Sequence, residues 1–261
     1  MNSILDAILL GVIEGLTEFL PISSTGHLLI AQHWMGRQSD LFNIAIQAGA
    51  ILAVTLVYRQ RITGLLLGWR QAESRDYAIK LVCAFLITAV FGLAAKALGA
   101  ELPETVWPIA AALIVGGICI LLVERHVATM APAATVTWAV VIAVGLAQVV
   151  AGVFPGTSRS AAAIFAAMLA GLTLRPRAAE FAFLVGIPTM FAATGYEALK
   201  TSMSPGGIGT EPWLELLIAF TVAAATGFAA VKWLLHYVSG HSFVPFAWYR
   251  IVFGAVLLVA I

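Results

Sequence analysis

The sequence predicts an all-α integral membrane protein with six transmembrane helices and two re-entrant helical hairpins in an inverted-topology repeat. Three features predict this fold class: the composition, the length of the apolar segments, and two apolar segments that are broken near their centres. Of the 261 residues, 61% are apolar and only 10% are charged, whereas soluble domains carry about 25% charged residues. Lipid therefore has to solvate most of the surface.

The uninterrupted apolar segments run for about 17 to 23 residues, the length that a helix needs to cross a bilayer. A closed β-barrel would instead show alternating segments of roughly 10 residues. Six segments fit a spanning helix, at about residues 41–58, 77–98, 106–123, 179–199, 213–235 and 245–261.

Two further apolar segments, residues 1–36 and 135–172, are interrupted by the polar turns PISSTG at 21–26 and PGTSRS at 155–160. Each predicts a helix, a break and a second helix. Superposing the two breaks at their prolines, Pro21 on Pro155, also aligns Gly11 with Gly145, Glu14 with Gln148, Ser23 with Thr157 and Ser24 with Ser158. Paired interruptions of this kind point to the binding site of an inverted-repeat membrane protein. We therefore expect one membrane domain made of two repeats, about 1–134 and 135–261.

The distribution of the 14 lysines and arginines supports this topology. If the broken segments are hairpins, nine cations share one side: Arg59, Arg61, Arg70, Arg75, Lys80, Arg125, Arg175, Arg177 and Lys232. Only Arg37, Lys96 and Lys200 fall on the other side. The positive-inside rule makes the first side cytoplasmic, so both termini are expected outside. The net charge of +1 and the lack of a basic stripe outside the loops argue against a nucleic-acid partner.

The first hairpin carries two carboxylates at membrane depth. Glu14 and Glu18 are four residues apart, so a helix projects them from one face about one turn apart. Carboxylates are expensive within a bilayer and are functional candidates for that reason.

Polar side chains follow these carboxylates at the first break: Ser23, Ser24, Thr25, Gly26 and His27. A serine at a break that precedes a helix is typical of an N-cap, and a helix N-terminus offers free N–H groups to an anion. Capping accounts for one serine only. The remaining hydroxyls and the imidazole indicate chemistry on an anionic group.

The second break contributes Gly156, Thr157, Ser158, Arg159 and Ser160. Arginine is the natural bidentate partner of a phosphate. Two carboxylates beside a diphosphate would repel it, so a bridging divalent cation, Mg²⁺ or Ca²⁺, is expected on Glu14 and Glu18. Arg250, in the last span, needs a partner as well, either the ligand or a carboxylate.

At these two motifs, EGLTEFLPISSTGH from Glu14 to His27 and PGTSRS from Pro155 to Ser160, the chain resembles the bacterial undecaprenyl-diphosphate phosphatase family, also called bacitracin-resistance proteins. The resemblance continues through IQAGAILAV around Gln47 and SFVPFAWYR ending at Arg250. It implies a re-entrant, often dimeric enzyme that dephosphorylates the C55 lipid carrier at the outer side of the bacterial cytoplasmic membrane. One departure is Ala161, Ala162 and Ala163, where the family has Gly, a variable residue and Thr. We assign no role to the residues of this second motif beyond Ser160.

The expected function is hydrolysis of undecaprenyl diphosphate, which recycles the cell-wall lipid carrier. The alternative is a polyprenyl-phosphate flippase, alone or combined with the phosphatase. The candidate catalytic residues are Glu14, Glu18, Ser24, His27 and Arg159, and the candidate phosphate-binding residues are Ser23, Thr25, Gly26, Gln148, Gly156, Thr157, Ser158, Ser160 and Arg250. Three nucleophiles stay open: Ser24 with His27 as its base, which we favour, His27 itself, and metal-activated water.

Overall fold

Eleven α-helices make up the part of the chain that the computed structural model describes, residues 3–100, 105–203 and 212–260. In chain order they are α1 Ser3–Thr17, α2 Ser24–Met35, α3 Asp40–Val57, α4 Arg59–Leu67, α5 Ala72–Ala97, α6 Val106–Val127, α7 Trp138–Val153, α8 Arg159–Leu169, α9 Arg175–Ser202, α10 Trp213–Val238 and α11 Val244–Ala260. Within those ranges no residue is in a strand, which confirms the all-α prediction.

Helices α3, α5, α6, α9 and α10 are long and apolar enough to cross a membrane. The sixth expected span, α11, is apolar but has only 17 residues. Both broken segments form two helices separated by a turn, α1 with α2 and α7 with α8, as predicted. Helix α4 was not predicted, because its nine residues include Arg59 and Arg61 and are too short and polar to resemble a span.

The outward face of the helices is apolar. On α5, for example, Val90 is 61% exposed and Leu93 is 67% exposed. Soluble monomers rarely expose contiguous apolar patches larger than a few hundred Å². The described helices therefore form a multi-pass membrane protein, with lipid in contact with these side chains.

The first helix of each hairpin packs against a long helix from the other half of the chain, α1 against α10 and α7 against α5. The two contacts use the same chemistry. Thr226 Oγ1 on α10 donates to the carbonyl oxygen of Gly11 at 3.4 Å, and Thr88 Oγ1 on α5 donates to the carbonyl oxygen of Gly145 at 3.0 Å. Small residues let helix backbones approach closely within membranes. The two glycines that the repeat aligns thus occupy equivalent crossings.

Alanine at either glycine is expected to destabilise the fold. A Cβ at Gly11 would lie 2.7 Å from the carbonyl oxygen of Ala219, and a Cβ at Gly145 would lie 2.7 Å from Cγ2 of Ile87. We predict that Gly11→Ala and Gly145→Ala each lower the free energy of unfolding by about 1–3 kcal/mol, the usual range for overpacking. Thermal denaturation in detergent measures this. Gly92→Ala is the control, since its Cβ meets nothing within 4 Å; equal stability of all three variants would contradict the prediction.

Candidate phosphate site between two helix breaks

Both breaks contain a serine in a backbone conformation that L-residues rarely adopt. Ser23 has φ 73° and Ser158 has φ 69°, and they are the only non-glycine residues with positive φ among those described. Each is the N-cap of the helix that follows: Ser23 Oγ accepts from the N–H of Gly26 at 3.5 Å, and Ser158 Oγ accepts from the N–H of Ala161 at 3.3 Å. Such conformations cost about 1–3 kcal/mol each and cluster at functional sites.

The cap geometry shifts the correspondence of the two breaks by one position after their prolines, while the helices before the breaks stay matched at Gly11 and Gly145. Ser23 corresponds to Ser158, and not to Thr157 as superposing the prolines predicted, because both serines cap a helix with nearly the same φ. The first residue of the helix is then Ser24 at one break and Arg159 at the other. The equivalent position therefore carries a hydroxyl at one break and a guanidinium at the other.

The two breaks meet around a polar pocket of about 50 Å³. Its lining comes from both hairpins and consists of Glu18, Ser23, Ser24, Thr25, Ala151, Gly156, Ser158 and Arg159. The Ser24 hydroxyl donates to Oε2 of Glu18 at 2.5 Å. Ser160 Oγ lies 3.0 Å from Ser158 Oγ and donates to the carbonyl oxygen of Leu20 at 3.1 Å, which joins the second break to the first. The structure thus brings most of the predicted site residues together.

Gly156 brings the second break against α6. Its φ is 88°, and a Cβ there would lie 2.8 Å from both Cα and the carbonyl oxygen of Ile109. Any larger residue would therefore be strained and would push the turn off α6.

Glu14 is fully buried, and neither of its carboxylate oxygens has a hydrogen-bond partner among the described residues. It lines a larger cavity of about 570 Å³, which Ser24 and Thr25 also line. The remaining polar lining comes from α2, α3 and the loop between them: Gln32, His33, Arg37, Asn43 and Gln47. The sequence prediction missed these residues, although Gln47, a polar residue in the middle of an apolar span, was a usable signal.

The carboxylates fit a hard divalent cation. The two buried oxygens of Glu14 lack a hydrogen-bond partner among the described residues, and Oε2 of Glu18 accepts from Ser24. In the described part of the chain no cluster of three His, Cys, Asp or Glu side chains surrounds a common point. Carboxylate oxygens are ligands of both Mg²⁺ and Ca²⁺, and Mg²⁺ usually binds one or two carboxylates together with substrate phosphates.

His27 and Ser24 each hydrogen-bond to other groups, whereas the sequence favoured a pairing of the two. The Nδ1 of His27 lies 2.7 Å from the carbonyl oxygen of Ser23, which can only accept, so Nδ1 carries the proton. Its Nε2 lies 2.7 Å from the Tyr249 hydroxyl, and its ring stacks on Phe253 with centroids 4.3 Å apart. Tyr249 and Phe253 both lie in α11. The last described helix therefore fixes the imidazole of His27, which lies near the start of the sequence.

Arg250 also differs from expectation, because it pairs with no carboxylate within the described ranges and does not line the polar pocket. It is fully buried, and its guanidinium donates to five backbone carbonyl oxygens at 3.0–3.4 Å, those of Pro21, Ala112, Leu113, Gly156 and Thr157. These carbonyls belong to both breaks and to α6. Arg250 thus holds the two turns together from behind the site.

Three other predicted phosphate-binding residues also lie apart from the polar pocket. Gly26 does not line it, and its N–H donates to Oγ of Ser23. Thr157 faces an apolar groove of about 510 Å³ between α6 and α7. Gln148 borders a separate small cavity that Glu18 and Arg159 share.

The chain is similar to known proteins over nearly its whole length. Residues 7–256 match the family model described as "Bacitracin resistance protein BacA". A relative from Rhizobium etli (strain CIAT 652), named "Undecaprenyl-diphosphatase", is 61% identical over 254 residues, 97% of this chain and 96% of the relative. Proteins of the same name from Xylella fastidiosa (strain 9a5c) and Xanthomonas oryzae pv. oryzae (strain PXO99A) are 58% and 59% identical over 258 residues, 99% of this chain and 98% and 97% of the relatives.

Replacing Arg250 is expected to unfold the site, because the carbonyl oxygens of Pro21, Gly156 and Thr157 at the breaks would lose their donor. The other two carbonyls lie within α6 and keep their helical hydrogen bonds. Leaving buried acceptors unsatisfied costs about 1–3 kcal/mol each, so Arg250→Met should lower the melting temperature markedly and abolish any activity. Arg250→Lys should not rescue it, since an ammonium group has three donors and no planar fork. Thermal denaturation in detergent measures both, with Arg59→Met on exposed α4 as the control. A wild-type melting temperature for Arg250→Met would refute this role.

Proposed function

This chain belongs to the bacitracin resistance protein BacA family, and from that premise we propose that it hydrolyses undecaprenyl diphosphate to undecaprenyl phosphate and inorganic phosphate. The reaction recycles the lipid carrier of cell-wall synthesis, and removal of the diphosphate accounts for resistance to bacitracin. The observation that carries the proposal is the shared pocket of Glu18, Ser24 and Arg159, built by two strained helix breaks. The names of the relatives favour this phosphatase over the flippase that the sequence left as an alternative.

The pocket suits a terminal phosphate for electrostatic reasons. The N-termini of α2 and α8 both begin at it, and helix N-termini present N–H groups and the positive end of the helix dipole. Arg159 supplies a charged donor fork for the phosphate oxygens. Donors that are fixed before the reaction stabilise the charge of a transferring phosphoryl group without reorganisation.

Glu14 and Glu18 would hold a divalent cation, Mg²⁺ or Ca²⁺, in this proposal. Bound there, it would neutralise the negative charge shared by the carboxylates and the diphosphate. The partnerless oxygens of Glu14 are the observation that supports it.

The Ser24 hydroxyl is the nucleophile that the contacts favour, with Glu18 in place of His27 as its hydrogen-bond acceptor. Oγ of Ser24 would bond to the terminal phosphorus, its proton would pass to Oε2 of Glu18, and the bridging oxygen would leave with the electron pair as polyprenyl phosphate. Water would then release inorganic phosphate from Ser24. Both ring nitrogens of His27 are engaged elsewhere, which argues against attack by the imidazole.

We further propose that the chain crosses the bacterial cytoplasmic membrane six times, with α1–α2 and α7–α8 as re-entrant hairpins of two inverted repeats, about 1–134 and 135–261. The matched N-caps and the matched Thr–Gly contacts support the repeat. In this topology the polar cavity with Arg37 at its rim opens on the outer, periplasmic side. Both termini are then outside, although residues 1–2 and 261 lie beyond the described part of the chain. A homodimer stays a prediction.

Neutralising either charged group of the pocket should abolish turnover. Loss of a preorganised charge typically lowers kcat by about 100- to 1,000-fold, so Glu18→Gln and Arg159→Ala should release almost no phosphate from undecaprenyl diphosphate. Glu73→Gln and Arg59→Ala, two matched changes in exposed segments, should behave as wild type. Chelator should stop the wild-type enzyme, and added Mg²⁺ or Ca²⁺ should restore it. Undiminished phosphate release in both pocket variants would defeat the proposal.

Trapping the covalent intermediate tests the nucleophile. Acid quenching during turnover of substrate labelled at the terminal phosphate should leave label on Ser24, and Ser24→Ala should lose both the label and the activity. Ser24→Ala with full activity would exclude the serine and leave water as the attacking group.

A further inference from the structure

A cavity of about 20 Å³ lies beside the polar pocket and shares no lining residue with the larger cavity of about 570 Å³. Its polar end is formed by Glu18, Gln148, Arg159 and Ser160, and its walls include Phe19, Phe183 and Met190. A cavity needs roughly 10–15 Å³ to hold a water molecule, which also requires two to four polar partners. The cavity therefore has the volume and the polar groups that one water molecule requires. Glu18 and Arg159 line both this cavity and the polar pocket, so the two spaces are adjacent.

Gln148 is the unexplained group at this cavity. Its side chain is only 3% exposed, and neither Oε1 nor Nε2 has a hydrogen-bond partner among the described residues. Burying an amide without partners costs about 1–3 kcal/mol by mutational measures. Such groups are rare in native proteins, and each one calls for an explanation, of which a catalytic role or a bound water are two.

We propose that Gln148 positions the water molecule that releases inorganic phosphate from Ser24 in the second step of the reaction. Its Oε1 accepts a hydrogen bond from this water and its Nε2 donates to a phosphate oxygen, so that both orphaned atoms are satisfied only when water and substrate are present. This inference rests on the proposed function and adds the positioning residue that function requires.

The step balances without any further reactant. The water oxygen bonds to the phosphorus carried by Ser24, the bond from that phosphorus to Oγ of Ser24 breaks, and Oγ keeps the electron pair. Oγ then takes back from Oε2 of Glu18 the proton that it gave up in the first step. One hydrogen of the water stays on the released phosphate as a new hydroxyl, and the other passes to a second oxygen of that phosphate. Gln148 donates and accepts hydrogen bonds throughout and does not change its protonation.

The repeat explains why an amide stands here. Gln148 and Glu14 are aligned between the hairpins, and both are buried without partners among the described residues. A carboxylate suits Glu14, which would hold the proposed cation. A third carboxylate at position 148 would lie near Glu18 and repel the phosphate, whereas an amide adds no charge and supplies both a donor and an acceptor.

A functional and a structural role for Gln148 predict opposite effects on stability. Replacing an unsatisfied buried polar group by an apolar group of similar shape is neutral or stabilising. We therefore expect Gln148→Met to keep or raise the melting temperature and yet to lower kcat by roughly 100-fold, as misplacement of a reacting group does. The KM for undecaprenyl diphosphate should stay near the wild-type value, because Arg159 and the helix N-termini still bind the phosphates.

The experiment combines steady-state phosphate release with thermal denaturation of the same detergent-purified protein. Gln60→Met, the same change on exposed α4, is the matched control and should alter neither quantity. If the Gln148→Met protein aggregates, Gln148→Ala is tested in its place, because alanine removes the side-chain atoms beyond Cβ and introduces no new group into the cavity. Gln148→Met with kcat within about twofold of wild type would overturn the proposal, and so would a loss of kcat that accompanies a lower melting temperature. If the wild-type protein releases no phosphate, that result would instead contradict the proposed function.

Discussion

The fold depends on satisfying the backbone of two helix breaks that lie inside an apolar protein. In lipid, each unpaired N–H or carbonyl group costs several kcal/mol, so irregular backbone persists only where protein groups or a polar cavity cover it. Here the guanidinium of Arg250 takes five carbonyl oxygens from both turns and α6. Ser23 and Ser158 satisfy N–H groups on the opposite side. Because the carbonyl oxygens of the two breaks are hydrogen-bonded to Arg250, the backbone N–H groups at the N-termini of α2 and α8 remain as the groups that could bind an anion.

The two helix breaks are similar in backbone geometry and differ in their side chains. The first hairpin contributes the carboxylates Glu14 and Glu18, and the second contributes Arg159 and the neutral Gln148. The polar pocket takes its carboxylate and hydroxyls from the first break and its guanidinium from the second. The site therefore exists only where the hairpins meet, which the crossings of α1 on α10 and α7 on α5 enforce.

Stability and function oppose each other at this meeting point. Two serines hold strained φ angles, and the side chains of Glu14 and Gln148 are buried without partners in the described part of the chain. Each of these features raises the free energy of the folded state. The surrounding packed helices offset that cost, and the groups left unsatisfied are then available to cation, water and phosphate.

The sequence by itself determined the all-α membrane class and the two breaks, and it marked Glu14, Glu18, Ser24 and Arg159 as candidates, because hydropathy, Pro/Gly interruptions and charges at membrane depth are local signals. Tertiary structure alone decided the partners. His27 is bound by Tyr249 and not by Ser24, and Arg250 holds backbone carbonyls in place of a carboxylate or phosphate. Both outcomes depend on where α11 packs, and that helix stands at the opposite end of the chain from the first break. A one-dimensional pattern records which side chains are costly in lipid, whereas the contacts that compensate them are set by helix packing.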